Sequence, residues 1–277
     1  MTMSVAYSAV LPVREQTVVY LARLLRAERQ RRGTRAGTRV LGCFTQAVLV
    51  LRWLLDGTRF TQLARDNKIG KSTAYTYLHE GITVLAAQAP GLQSALLAAK
   101  MAGHSHVIID GTLIETDRCR QPGPTPGVDL FWSGKHDNHG GNVQVITAPD
   151  GWPLWTSDVR PGREHDTTAL RYHGEILPLL KTWIGEEALT ALGDLGYEGE
   201  ADTITVPFKK PKGGNLTDEQ KIHNRAHNGR RAIGERGNSL LKMTFKALRN
   251  ISVDPWAIGD IVRAALVVLH VEHGRTT

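Results

Sequence analysis

Three carboxylates stand out by what surrounds them. Glu235 is the one acid in RRAIGERGNSLLK, residues 230 to 242, among Arg230, Arg231, Arg236 and Lys242. Asp110 follows the apolar run Val107-Ile108-Ile109 and precedes Gly111; Asp194 follows another apolar run and has Gly196 close behind. An aspartate delivered by a buried strand is costly unless paired or bound to a metal. Glycine beside it lets backbone or a phosphate come close. An Asp-Gly turn or a cap accounts for either aspartate alone, and a salt-bridged, solvated helix accounts for Glu235 alone. Taken together, three carboxylates suit a hard divalent cation lying beside a polyanion.

The elements that must position them follow from hydrophobic pattern. HVIIDGTLIET, 106 to 116, reads as a strand buried on both faces and ending at Asp110-Gly111. A long polar connection, 119 to 141, follows it. NVQVITAPDGWPLWTSDV reads as two strands joined by a turn at Pro149-Asp150-Gly151. DTTALRYHGEILPLLKTWI, 166 to 184, reads as one helix with Leu170, Ile176, Leu177 and Leu180 inward, capped by Asp166 or Thr167; the alternative for His165-Asp166 is an approach to the site. EALTALGDLGYEG, 187 to 199, and TITVPF, 203 to 208, read as further strands, and 217 to 273 as mostly helix. The sites of open α/β sheets gather at the carboxyl ends of strands.

Residues 1 to 100 read as mostly helical. RQRRGTRAGTR, 29 to 39, reads as an exposed basic linker, and FTQAVLVLRWLL, 44 to 55, as a core-facing helix. From Arg59 to Leu85 a short helix capped by Thr61 precedes a break at 67 to 71. Ser72 or Thr73 then opens a second helix with Ala74, Tyr77, Leu78 and Ile82 on one face. That register resembles a bacterial helix-turn-helix, although Lys68-Ile69-Gly70 replaces the usual Gly-Val-Ser turn. If so, Lys71, Ser72, Thr73, Tyr75 and Thr76 face phosphates or base edges. An ordinary helical hairpin is the alternative.

Composition agrees with a nucleic-acid partner. The net charge is +7, and residues 209 to 249 hold eleven Lys and Arg against three acids. Cys43 and Cys119 have neither zinc spacing nor a disulfide framework and read as reduced thiols. No apolar run is long enough to span a bilayer, and the N-terminus does not read as a signal peptide. The expectation is a cytoplasmic, nucleoid-associated protein. His136, Asp137 and His139 look like a metal cluster but read better as a polar loop. Trp132 reads as core cover, and Glu115 and Asp117 as exposed substitutes should Asp110 fail.

In order and context, Asp110, Asp194 and Glu235 resemble the acidic triad of the DDE transposases of bacterial insertion sequences. VIIDGT matches the first strand, GDLGY matches the family's Asp-x-Gly-Tyr segment, and Arg231, Glu235 and Lys242 match three members of its Tyr-Arg-Glu-Lys signature. The tyrosine, due near Asn228, is absent, and the nearest aromatic is His227. The likeness covers about Val107 onward and is greatest to the insertion-sequence-five group and its Harbinger-like relatives. It implies an α/β, ribonuclease-H-like domain over 101 to 277: a mixed five-stranded sheet flanked by helices. An all-α helix-turn-helix domain over 1 to 100 would precede it. It also implies two Mg²⁺ ions, replaceable by Mn²⁺, held by the three acids, with Arg231 and Lys242 on phosphates either side of the scissile bond. Element ends and target would be double-stranded DNA, bound by a homodimer or larger assembly, with no membrane involved. The alternatives are a DNA-binding regulator or decayed transposase without catalysis, and a metal-dependent nuclease without strand transfer.

Overall fold

The computed structural model describes residues 9–185 and 189–277. The chain forms two compact units, Met1–Val84 and Leu85–Thr277. The sequence reading set its boundary near residue 100. The later helix Leu92–Met101 belongs to the second unit, where the Trp183 indole donates to the Leu96 carbonyl at 2.7 Å. The signal-peptide reading falls on the first eight residues, and the start of the 187 to 199 reading on Glu187 and Ala188. These positions lie outside the described residues.

The first unit is helical: α1 (Glu15–Arg31), α2 (Cys43–Asp56), α3 (Phe60–Asp66) and α4 (Lys71–Ala86). Leu21, Leu25, Leu49, Leu54, Leu63 and Leu78 are buried together with the expected Ala74, Tyr77 and Ile82. The basic stretch at 29 to 39 is not a free linker. α1 runs through Arg31, and Glu80, only 7% exposed, draws Arg39 and Gln46 to its carboxylate. A buried carboxylate needs such partners, and these tie the stretch down. α3 is preceded by Arg59 without a side-chain cap, so Thr61 sits inside the first turn. α4 opens one residue earlier than expected, at Lys71. The bend between them runs through Lys68 at φ 53°, a left-handed backbone more often given to glycine.

The second unit is a mixed α/β layer structure. After α5 (Leu92–Met101) come β1 (His106–Glu115), β2 (Trp132–Ser133), β3 (Asn138–Thr147), β4 (Pro153–Thr156) and β5 (Arg160–Pro161). Then follow α6 (Asp166–Tyr172), α7 (Ile176–Ile184), β6 (Thr190–Leu192), a 3-10 helix (Leu195–Glu200), β7 (Ile204–Thr205), α8 (Asp218–Thr244) and α9 (Ile258–His273). β1 and β3 are the long central pair, antiparallel from Ile108 opposite Thr147 to Glu115 opposite Gly140. β6 and β7 continue the sheet in parallel beyond β1, and β2, β4 and β5 pair with β3.

β1 does not end at Asp110. It runs five residues further, because β3 supplies partners through Gly140 and Gly141. The helix expected over 166 to 184 is two, broken at His173-Gly174-Glu175, and Leu177 is only half-buried. The strand expected to carry Asp194 stops at Leu192, and the one expected over 203 to 208 is two residues long.

Alternation along β1 assigns its two faces. Ile108 and Asp110 face α8, and Gly111 faces α6. α8 starts on a capping box between Thr217 and Gln220. It lies close on the sheet because Gly234 and Gly237 have no side chains. A Cβ at Gly234 would sit 2.6 Å from Ile108 Cγ2, and one at Gly237 2.5 Å from Thr147 Cγ2.

Candidate active site

β6 pairs with β1 only as far as Ile108, so Asp110 stands where the two strands part. It is half-buried. Its Oδ2 accepts a 2.9 Å hydrogen bond from Asn238 Nδ2 on α8. Burial first, then the charge of Asp194, pushes the Asp110 carboxyl up to about 6. Arg231 acts against this, while Asp166 and then Glu235 add to it. Asp110 therefore sits among three other carboxylates, two of which the sequence reading placed with it in one set.

Asp194 lies two residues past β6 and caps the 3-10 helix, its Oδ1 accepting from Gly196 N at 2.8 Å. His227, standing near the missing tyrosine, is buried. Its Nε2 donates to the Gly193 carbonyl at 2.9 Å, so it ties α8 to the segment bearing Asp194. Burial lowers its imidazole pKa, and that carbonyl bond opposes the shift.

Glu235 lies in one cleft with Asp110, Asn238 and Lys242, floored by Gly111, Thr112 and Leu113. Its side chain is 58% exposed and pairs with Arg231, one helical turn earlier, at 3.0 Å. The salt bridge that a solvated helix predicts is thus present, on the face that also looks at Asp110. Lys242 donates from Nζ to the Leu113 carbonyl at 2.9 Å. Burial pulls its ammonium below the usual value, and Glu115 and Asp110 act the other way.

The all-oxygen donor set suits a hard divalent cation, and glycines 111 and 196 let the Asp166 and Asp194 carboxylates lie against the backbone. Among the described residues no three His, Cys, Asp or Glu side chains converge tightly enough to hold one ion. Glu235 would have to exchange Arg231 for the metal to complete the set. By residue type Asp110, Asp194 and Glu235 are compatible with a hard divalent cation.

The other singled-out residues are dispersed. His139 pairs with Asp129 at 3.0 Å, Asp137 makes a left-handed turn at φ 53°, and His136 lines the Asp110 cleft. Trp132 is half-exposed and packs edge-on against His139. Glu115 accepts from Asn138 and Asp117 from Asn250. Both cysteines are free. In the first unit Lys71, Ser72 and Thr76 are exposed and Thr73 is half-exposed, whereas Tyr75 stacks on Phe60 with centroids 3.6 Å apart.

One residue of the site was missed, and a second was read as a helix cap able to approach the site. Asn238 lies three after Glu235, and helical spacing alone would have flagged it. Asp166 reads as a helix cap, but His165 precedes the helix and the Asp166 side chain turns to Asn142 Nδ2 at 2.8 Å.

No helix of the described residues is long and apolar enough to cross a membrane. The chain is 24% identical over 246 residues to the probable transposase for insertion sequence element IS702 of Microchaete diplosiphon, covering 86% of this chain and 83% of that one. Solved structures of the Mos1 transposase paired-end complex and strand transfer complex are similar at 11% and 10% identity. They cover 73% and 88% of this chain and 76% and 99% of theirs, with TM-scores of 0.21 and 0.22. The family model described as DDE superfamily endonuclease matches residues 109–270, from the residue before Asp110 to the last turn of α9. With that span, more than half of its length, the chain belongs to the DDE superfamily endonucleases.

Proposed function

We propose that this chain is the transposase of an insertion sequence, which binds the element's terminal inverted repeats, cuts there with two Mg²⁺ ions and joins the ends to target DNA. The observation that carries the reading is the meeting of Asp110 and Glu235 in one cleft, with Asp194 acting on Asp110 from the neighbouring strand end. The strand order, with β3 antiparallel to β1 on one side and β6 and β7 parallel on the other, supports a ribonuclease-H-like assignment. Bound divalent cations would supply Lewis acidity at the attacking and leaving oxygens of the phosphodiester. Asp110, Asp194 and Glu235 would hold them, Mn²⁺ serving in place of Mg²⁺.

Asn238 holds one oxygen of Asp110, and the other takes no hydrogen bond among the described residues. Lys242 keeps one N–H on the Leu113 carbonyl, which points its remaining donors into the cleft for a phosphate. A phosphate bound by Arg231 would release Glu235. In the first unit α3 and α4 would serve as a helix-turn-helix, presenting Lys71, Ser72, Thr73 and Thr76 to DNA; Tyr75 would act by bracing Phe60. Two ends must be brought together, so the working form is a dimer or larger assembly on DNA in the cytoplasm.

The test is a supercoiled plasmid carrying the gene's native flanking DNA, incubated with wild type or Glu235→Ala in Mg²⁺, Mn²⁺ or chelator. Metal-dependent cuts at the element ends, lost in the variant while binding persists, are expected. Binding without cutting by wild type would instead favour a non-catalytic DNA-binding protein.

A further inference from the structure

The side of the sheet opposite α8 carries a chain of buried hydrogen bonds with a fixed direction. The Tyr197 hydroxyl, fully buried, donates to Gln144 Oε1 at 2.5 Å. Gln144 Nε2 donates to Asn142 Oδ1 at 2.9 Å, and Asn142 Nδ2 donates to Asp166 Oδ1 at 2.8 Å. The chain begins three residues after Asp194, runs along one face of β3 and ends on a carboxylate. Each amide is oriented by its neighbour, so Asn142 presents a donor and the Asp166 oxygen must accept.

Asp166 is thereby held against the site. A Cβ at Gly111, the residue after Asp110, would run into Asp166 Oδ1. A Cβ at Gly196 would lie 2.8 Å from Asp194 Oδ1 and 3.2 Å from Asp166 Oδ2. Both glycines therefore clear backbone for this carboxylate, and Gly196 does so for Asp166 and Asp194 at once. With Oδ1 used by Asn142, Oδ2 takes no hydrogen bond among the described residues; its near cation is Lys135 Nζ at 3.7 Å, on a side chain that is 66% exposed. Asp110, Asp194 and Glu235 carry three negative charges against the four positive charges of two divalent cations. A fourth carboxylate makes the sum neutral.

We infer that Asp166 is a fourth carboxylate toward the divalent metal, offering Oδ2 beside Asp110 and Asp194. The inference rests on the DDE reading of the site and adds to it a residue outside the triad. Asp166→Asn is the informative change, because its amide oxygen can still accept from Asn142 while the charge is lost.

Mn²⁺ binding to the full chain, counted by the electron paramagnetic resonance signal of the free ion, is compared among wild type, Asp110→Asn and Asp166→Asn. Asp166→Asn should weaken binding by about 10- to 100-fold, the loss seen when groups supporting a metal site are removed. Its thermal midpoint in chelator should not fall, since a carboxylate beside Asp194 is a source of repulsion without metal. A merely structural role would lower that midpoint instead. Asp166→Asn binding Mn²⁺ as tightly as wild type, while Asp110→Asn loses it, overturns the inference and leaves the DDE site standing. Wild type that binds no Mn²⁺, or Asp110→Asn that binds normally, overturns both. Should Asp166→Asn not fold, Lys135→Met decides. Removing the competing ammonium should tighten Mn²⁺ binding, and unchanged affinity would count against Asp166.

Discussion

With no cation bound, Asp110 ionises against its own burial and against the charge of Asp194, and this makes stability depend on pH. Its value in the folded chain, about 6, exceeds the ordinary 3.8. The fold therefore keeps a proton that the unfolded chain has released. The stabilising contribution is complete below pH 3.8 and is lost as pH rises through 6. Above that, the ionised group burdens the metal-free protein by roughly 3 kcal/mol. Asp110→Asn should accordingly raise the thermal midpoint in chelator at pH 8 and leave it nearly unchanged at pH 3, although cleavage is abolished. A wild-type midpoint at pH 8 equal to that of the variant would contradict this. Lys242 offers a second test. Lys242→Met keeps the stem that packs in the cleft but removes the donor to Leu113 and to a phosphate. DNA affinity should fall for any sequence, with the slope of log affinity against log salt reduced by about 1; an unchanged slope would remove Lys242 from the DNA contact.

α8 brings Glu235, Asn238 and Lys242 to the sheet, and its glycines decide how closely. Gly234→Ala puts a methyl group into Ile108, an overpacking worth about 1–3 kcal/mol, and should push Glu235 away from Asp110 with loss of cleavage. Gly229 is exposed on the same helix with nothing within 4 Å of its would-be Cβ. Gly229→Ala should stabilise by up to about 1 kcal/mol. Thermal unfolding of the two variants should therefore move in opposite directions. This helix also marks how far a sequence can be read. Its start near 217, the apolar start of β1 and the core face of α4 follow from local pattern, whereas its end at Thr244 does not. Nor does the end of β1, because β3 sets it through Gly140, which pairs with Glu115 from across the long intervening connection. The break at Gly174 stayed hidden because apolar periodicity resumes on its far side. Among the carboxylates that act on Asp110, those of Asp194 and Glu235 were singled out by residue type and order. Asp166 was read as a cap able to approach the site, and only the hydrogen bond from Asn142 on a distant strand places its carboxylate.

At the scale of the molecule the two compact units allow a division of labour. Residues 85–277 contain the whole sheet, α5 to α9 and every acidic residue of the site. A fragment of that span should fold cooperatively, seen as a single sigmoidal loss of circular dichroism. It should nick DNA with Mn²⁺ but fail to protect the element ends in a footprint. End-specific protection by the fragment would dismiss the first unit as the reader of the repeats. A last consequence concerns where this molecule can lengthen. α8 is pinned by its own three ties, His227 to Gly193, Asn238 to Asp110 and Lys242 to Leu113, whereas residues 209 to 213 before it lie exposed. Extra chain inserted there, even a folded reporter domain, would hang outside the nuclease and leave Glu235 in register, so this is a natural seam for a graft.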